Sequence, residues 1–444
     1  MNQTVQTPDA TTASVAVDSQ ESNQPSWLTR QVQHIGRKAI LSQLVNIHTG
    51  VMRIKEVSNG QEQIHEFGSE YIDADGQPLI AELQVKDASA FVSILTGGSI
   101  GAAEAYMTAD WDTPNLADVV RIMVLNMDVL NKMEGGITGL VSKPFLKVFH
   151  KLNENTEKGS RRNIAAHYDL GNDLFERFLD PSMMYSSAIF PGKDSTLEIA
   201  SKYKLKRICD SLQLNENDRV VEIGTGWGGF AIYAATHYGC HVTTTTISEE
   251  QHALAKTRIE EAGLQDKITL LKKDYRDLVS QEGQFDKLVS IEMIEAVGWK
   301  YYDTFFETCS RLLKDDGVML IQAITIEDQR YDDARKNVDF IQRYIFPGSC
   351  IPSIHALLSA SKKSSDLRLS YQQDFAEHYA RTLNEWHKRF NEKKSEIMAL
   401  GYNEEFHRLW QFYFAYCEGG FRERSIGVSH LMFAKPRHRV ERVQ

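Results

Sequence analysis

Val220-Val221-Glu222-Ile223-Gly224-Thr225-Gly226-Trp227-Gly228-Gly229 is an apolar run that enters a glycine turn, and Gly229–Tyr238 beyond it has helical spacing. A buried strand that ends in glycines and resumes as a helix lets main chain approach a ligand closely and points a helix amino terminus at it. Outward from this turn the pattern repeats. Strands are predicted at Arg219–Ile223, His241–Thr246, Ile268–Lys272, Lys287–Ile291 and Val318–Ala323, with helices at Gly229–Tyr238, Glu249–Ala262 and Tyr302–Leu313. Such alternation predicts a Rossmann-like α/β fold, in which a parallel sheet carries helices on both faces. Tyr331–Arg424 then interrupts with mainly helical, aromatic-rich sequence, and Ile426–Ala434 reads as a final edge strand. An insertion at that point would lie over the carboxyl ends of the strands, where open α/β sheets bind ligands.

Gly224, Gly226 and Gly229 also satisfy the G-x-G-x-x-G pattern of dinucleotide sites, a weak motif by itself. Two features favour S-adenosylmethionine. Glu222 lies two residues before the first glycine, where a carboxylate can hold the cationic amino group of methionine, and no acidic residue ends the second strand. That strand runs into Thr246-Ile247-Ser248-Glu249-Glu250-Gln251, whose polar side chains, Gln251 especially, suit ribose hydroxyls. Asp274-Tyr275-Arg276 after the third strand would flank the adenine.

With 444 residues the chain is long enough for two packed domains, and a formal charge of -10 argues against a dedicated nucleic-acid binder. The five cysteines are widely spaced and never form Cys-x-x-Cys, so neither a disulfide framework nor a zinc site is expected. Residues 1–26 lack Lys, Arg, aromatic residues and any apolar block, which predicts a disordered tail and no secretion signal. No run approaches the length of a spanning helix, so a cytoplasmic protein is expected. Residues 27–139 read as a small α+β accessory domain, with alternating segments at Val51–Val57 and Leu79–Val85, a helix from Ser89 towards Met107, and helical spacing through Asn115–Met133. Residues 140–162 form a basic linker. Within it Leu140–Leu152 places Phe145, Phe149 and Leu152 on one face beside Lys143, Lys147 and Lys151, a pattern that fits a membrane-surface helix or one packed on its own domain. Residues 163–444 hold the alternating unit, with the insertion at 331–424.

Five ordered motifs make the chain recognisable. His167-Tyr168-Asp169-Leu170-Gly171-Asn172, Met184-Tyr185-Ser186-Ser187-Ala188, the Glu222–Gly229 turn, Glu292-Met293-Ile294-Glu295-Ala296-Val297-Gly298 and Tyr344-Ile345-Phe346-Pro347-Gly348 together resemble the cyclopropane fatty acid synthase family over roughly Asn163 to Lys435. Gly97-Gly98-Ser99-Ile100-Gly101-Ala102-Ala103-Glu104-Ala105-Tyr106 is similar to the family's amino-terminal domain, though less specifically. The resemblance implies a peripheral enzyme on the inner face of the cell membrane, at an anionic surface. There it would add the S-adenosylmethionine methyl group across a cis double bond of a phospholipid acyl chain; similar enzymes are often homodimers. It implies cofactor contacts at Tyr168, Tyr185, Ser186, Glu222, Gly224, Thr225, Gly226, Trp227, Gly228, Thr246, Ile247, Ser248, Gln251, Tyr275 and Arg276. A bicarbonate ion would accept the proton, held through Ser187, Glu295, Gln322, Ile324 and Tyr379. Ser187 and Gln322 stand where cysteine and histidine are usual, yet both can donate hydrogen bonds to an anion. The family's active-site cysteine falls on Cys417, expected here to line the site and not to act as a nucleophile, because an alkene offers it no electrophilic acyl centre.

Alkylating a double bond leaves a carbocation, which aromatic faces stabilise without trapping. Tyr168, Tyr185, Phe346 and Tyr379 are the candidates, with Glu295 nearby to assist proton loss. Four outcomes stay open at this stage: a cyclopropane product, a methyl- or methylene-branched chain, methylation of a soluble acceptor, and a silent lipid-binding protein that keeps the cofactor fold.

Overall fold

The computed structural model describes residues 27–58, 61–134 and 170–439. The tail, the basic linker and Tyr168 lie outside the described residues. β1 (Gly50–Ser58), β2 (Gln61–Ser69), β3 (Ile80–Val85) and β4 (Trp111–Asp112) form a four-stranded sheet of order β2-β1-β3-β4, in which β1 and β3 run parallel. The helix Trp27–Leu44 precedes it. A second helix, Ser89–Met107, kinks at Gly98, whose φ of 57° is a left-handed value that glycine adopts without strain. Helical spacing over Asn115–Met133 resolves into two helices, Leu116–Leu125 and Met127–Glu134, because Asn126 turns its amide group back onto the Ile122 and Thr49 carbonyls.

The second sheet has seven strands: β5 (Arg219–Ile223), β6 (His241–Thr246), β7 (Ile268–Lys272), β8 (Phe285–Ile291), β9 (Leu313–Ile326), β10 (Arg368–Asp374) and β11 (Ile426–Ala434), ordered β10-β11-β9-β8-β5-β6-β7. β5 to β9 pair in parallel, while β11 is antiparallel to both β9 and β10. Both faces are covered, and the middles of the central strands, Val220-Val221, Leu288-Val289 and Val318–Ile321, are apolar and buried. Val221 and Ile223 pack with the helix Tyr302–Leu312 through Phe305 and Phe306. Val220 points the other way, towards Phe230 and the helix Leu197–Leu212.

Two expectations are corrected here. Ile426–Ala434 is an interior strand, and the edge belongs to Arg368–Asp374, which lies within the nominally helical insertion. β10 is mostly solvent-facing and polar (RLSYQQD), so it lacks the apolar alternation that marks a half-buried strand, and main-chain pairing with β11 holds it. The switch point between β5 and β8, where the strand order reverses, opens a crevice at their carboxyl ends, as expected.

The insertion helix Glu404–Arg422 joins the two sheets. A Cβ on Gly419 would come within 2.7 Å of Val120, so the helix backbone lies directly on Leu116–Leu125. Arg408 donates to the Trp111 carbonyl at 3.0 Å and stacks 3.9 Å from the Tyr106 ring. Arg121 reaches Glu423 at 2.6 Å and Asp73 at 3.0 Å, each group nine-tenths buried. Because removing one member of a buried ionic cluster strands the others, Arg121→Met should lower unfolding free energy by about 3–5 kcal/mol in denaturant titration.

Candidate active site

The glycine turn is held from beneath. The amides of Gly224 and Thr225 both donate to the Thr245 carbonyl, at 3.1 and 3.0 Å. Gly224, Gly226 and Gly228 all take left-handed φ values. A Cβ on Gly229 would strike Met184 Sδ at 2.6 Å, whereas one on Gly226 would meet nothing within 4 Å. Gly229 is therefore required by packing, and Gly226 faces a cleft.

Of the residues expected at the cofactor, Tyr185, Ser186, Glu222, Gly224, Thr225, Gly226, Trp227, Thr246, Ile247, Gln251, Tyr275 and Arg276 line this cleft. Gly228 and Ser248 do not. Gly228 packs on Ala255, and Ser248 caps the helix Glu249–Glu261 by accepting from the Gln251 amide. Thr246 Oγ1 donates to Gln251 Oε1 at 2.8 Å, and Asp274 grips the Arg276 guanidinium through Nε and Nη2. Glu222 is 2 % exposed and accepts from Thr244 Oγ1 at 2.6 Å. Burial pushes its carboxyl up to about 8, so a cation seated beside it would favour the ionised form. An open space at Gly226, polar side chains after β6 and a buried acid below the turn fit an S-adenosyl group.

A larger cavity of about 970 Å³ adjoins the cleft, sharing Tyr185, Glu292 and Ala296 as lining residues. Glu295, Ile324, Tyr379 and Cys417 line it, as do Phe346, Tyr413 and Phe421. It extends past the kinked Gly97-Gly98 segment to Phe91 of the same helix and to Met52 and Ile54 of the amino-terminal sheet. Tyr379 stacks on Phe421 at 4.4 Å between ring centroids, and Tyr185 donates to Tyr413 Oη at 3.0 Å. Burial raises the Cys417 thiol well above its ordinary range, so it stays neutral in the wall.

Ser187 and Gln322 lie behind this wall, each fully buried and lining neither space. What separates them from the cavity is Glu292, a residue with no role in the sequence reading. Its Oε1 accepts from the Ser187 amide at 2.9 Å and from Gln322 Nε2 at 2.7 Å; its Oε2 accepts from Tyr379 Oη at 2.7 Å. Burial moves the His430 imidazole down to about 3, so it is neutral. Its Nε2 lies 2.9 Å from Gln322 Oε1 and donates there, turning the amide NH₂ of Gln322 towards Glu292. Lys204, also fully buried and pushed down to about 8, donates to Ser186 Oγ at 2.6 Å and adds positive potential near the carboxylate. The Glu292 backbone has φ 48°, a left-handed value that costs a side-chain-bearing residue roughly 1–3 kcal/mol.

These contacts bear on the expected bicarbonate. The Ser187 amide, Gln322 and Tyr379 already bind the Glu292 carboxylate, and the Ile324 amide donates to Glu295 Oε1 at 2.5 Å. The Ser187 hydroxyl, expected as an anion donor, turns instead to the Ala188 carbonyl at 3.0 Å. The five positions do not fit a second anion. Glu295 Oε2 has no hydrogen-bond partner among the described residues, and burial together with the Glu292 charge pushes this carboxyl up to about 8. The sequence signal for Glu292 was an acid three residues before Glu295 where β8 gives way to one helical turn, Ile294–Val297. Lys204 and His430 left no signal, being single polar residues in amphipathic or apolar segments.

The sheet order, the cleft and the adjoining chamber define a class I S-adenosylmethionine-dependent methyltransferase. The chain belongs to the mycolic acid cyclopropane synthetase family, whose profile matches residues 155–431. It is 37% identical over 339 residues to tuberculostearic acid methyltransferase UfaA1 of Mycobacterium tuberculosis, covering 74% of this chain and 78% of that protein. The Escherichia coli K12 cyclopropane-fatty-acyl-phospholipid synthase is 36% identical over 389 residues, 86% of this chain and 96% of its own. The crystal structure of mycolic acid cyclopropane synthase CmaA1 complexed with SAH and CTAB superposes with a TM-score of 0.58 at 29% identity, covering 62% of this chain and 98% of that one. The family profile begins after the four-stranded sheet, which thus lies outside the matched residues.

Gly226→Val should weaken S-adenosylmethionine binding at least ~100-fold by calorimetry, about 2.7 kcal/mol. The same change should cost only about 1–2 kcal/mol of stability, from backbone strain. For Glu295 the folded carboxyl titrates near 8 against an ordinary 4.5, so the stabilisation from its bound proton is lost as pH rises towards 8. Glu295→Gln should therefore gain on the wild type from about pH 4.5 to about pH 8, by on the order of a few kcal/mol in denaturant titrations, and hold level above that.

Proposed function

We propose that the protein adds the methyl group of S-adenosylmethionine across a cis double bond in the acyl chain of a membrane phospholipid, closing a cyclopropane ring. The observation that carries this reading is the 970 Å³ chamber, apolar in most of its lining, that meets the donor cleft at Tyr185, Glu292 and Ala296. A soluble polar acceptor has no use for it, whereas it lies within the size range of sites that enclose an extended apolar ligand.

The cleft residues, chiefly Tyr185, Ser186, Thr246, Gln251, Tyr275 and Arg276, hold the donor, which supplies an electrophilic sulfonium methyl when bound. An alkene is a weak nucleophile, so the chamber must align it and exclude water; such positioning is worth up to about 7–11 kcal/mol. Tyr185, Phe346 and Tyr379 present ring faces to the cation that alkylation leaves on the chain. Cys417 contributes bulk, and the site must also take up the proton lost on ring closure. No helix among the described residues is long and apolar enough to cross a membrane. The substrate reaches the chamber from a bilayer to which the protein binds peripherally, the basic stretch containing Lys143, Lys147 and Lys151 supplying positive charge for anionic headgroups.

Labelled S-adenosylmethionine and vesicles of mono-unsaturated phospholipid provide the test. Label should appear in a cyclopropane acyl chain by mass spectrometry, faster on anionic than on neutral vesicles, with the difference shrinking as salt is raised. Label confined to a branched chain would overturn the ring closure, and label only in a soluble acceptor would overturn the lipid substrate.

A further inference from the structure

We propose that Glu292 is the proton acceptor of the reaction, an internal carboxylate occupying the place where the family resemblance puts a bicarbonate ion. This rests on the lipid-alkylation reading and adds the identity of the base.

The case is geometric. Three of the five positions expected around the ion, Ser187, Gln322 and Tyr379, converge on the two oxygens of one side chain. Oε1 accepts two hydrogen bonds, which use both its lone pairs; Oε2 accepts only from Tyr379, leaving one lone pair among the described residues. Glu292 also lines both the donor cleft and the acyl chamber, so the residue borders the junction where a transferred methyl group must lie. The left-handed backbone at this position suits glycine, and a glycine here would leave the donors facing an empty, anion-sized gap. A glutamate fills that gap with a tethered carboxylate.

Methyl transfer to one alkene carbon leaves its neighbour cationic. A C–H bond of the new methyl group then breaks, its electron pair forms the C–C bond to the cationic carbon, and the proton goes to Glu292 Oε2. Release of the neutral product lets the protonated carboxyl lose its proton to water. Neighbouring Glu295, held neutral, adds no second charge to compete for that proton.

The experiment uses the purified full chain in carbon-dioxide-scrubbed buffer, with labelled S-adenosylmethionine and mono-unsaturated phosphatidylglycerol vesicles. Wild-type turnover should be unchanged when bicarbonate is added. Glu292→Gln should lose about 10²–10⁴-fold in turnover while binding S-adenosylmethionine normally by calorimetry, with no recovery on adding bicarbonate. Glu292→Gly should fall similarly and recover in part with added bicarbonate or formate, a rescue that a purely structural role would not give. A wild type that depends on added bicarbonate overturns the assignment, as does a Glu292→Gln variant that keeps its turnover. Should either variant fold poorly, the bicarbonate response of the wild type decides alone. A wild type that labels no lipid at all refutes the functional reading, and this inference falls with it.

Discussion

Glu292 sits where four parts of the chain meet. It directly follows β8, its amide donor comes from the Met184–Ala188 segment, Gln322 comes from β9 and Tyr379 from the insertion helix Ala376–Glu392. Each hydrogen bond to a buried charge is worth more than a neutral one, and leaving such a charge unpaired would cost several kcal/mol. The carboxylate therefore requires all three partners at once. Meeting that requirement draws the insertion down onto the strand ends and closes the chamber behind the donor cleft.

Around this point the molecule keeps charge where it is used and removes it elsewhere. His430 is neutral and serves to orient an amide, while the Cys417 thiol and the Glu295 carboxyl are held protonated by burial. A developing carbocation is thus surrounded by aromatic faces and the hydrogen-bonded Glu292 carboxyl, whose proton affinity burial raises, and the neutral Cys417 thiol is a poor nucleophile to capture it. The glycine turn works the other way, presenting backbone and open space to a polar donor. One wall, formed by Tyr185, Glu292 and Ala296, separates a polar half of the site from an apolar one.

The apolar half depends on the amino-terminal sheet. Helix Glu404–Arg422 packs backbone-close on Leu116–Leu125 at Gly419, and the buried Arg121 and Arg408 contacts lock that seam. Because residues of β1 and the kinked helix line the far end of the chamber, the two sheets build one binding space. The π-helical turn Ile341–Ile345, next to the Phe346-Pro347-Gly348 motif, ties into the same seam through Arg343 and Glu104 at 3.0 Å. Such turns concentrate at functional sites because the extra residue re-aims neighbouring side chains.

The parallel sheet, the glycine turn and most of the cleft were legible in the chain itself, because each is a local signal. An apolar run of five residues, three glycines at fixed spacing and a capped helix specify their own geometry with no help from distant residues. β10 escaped notice because its polar side chains carry no burial pattern, and its place follows only from pairing with β11. The sequence by itself determined the family's donor site and the aromatic character of the acyl site. It could not show that Glu292, Gln322 and Tyr379, up to 87 residues apart, converge on one carboxylate. That convergence is a property of β8, β9 and the insertion packed together, since a buried charge is defined by its surroundings and not by its neighbours along the chain.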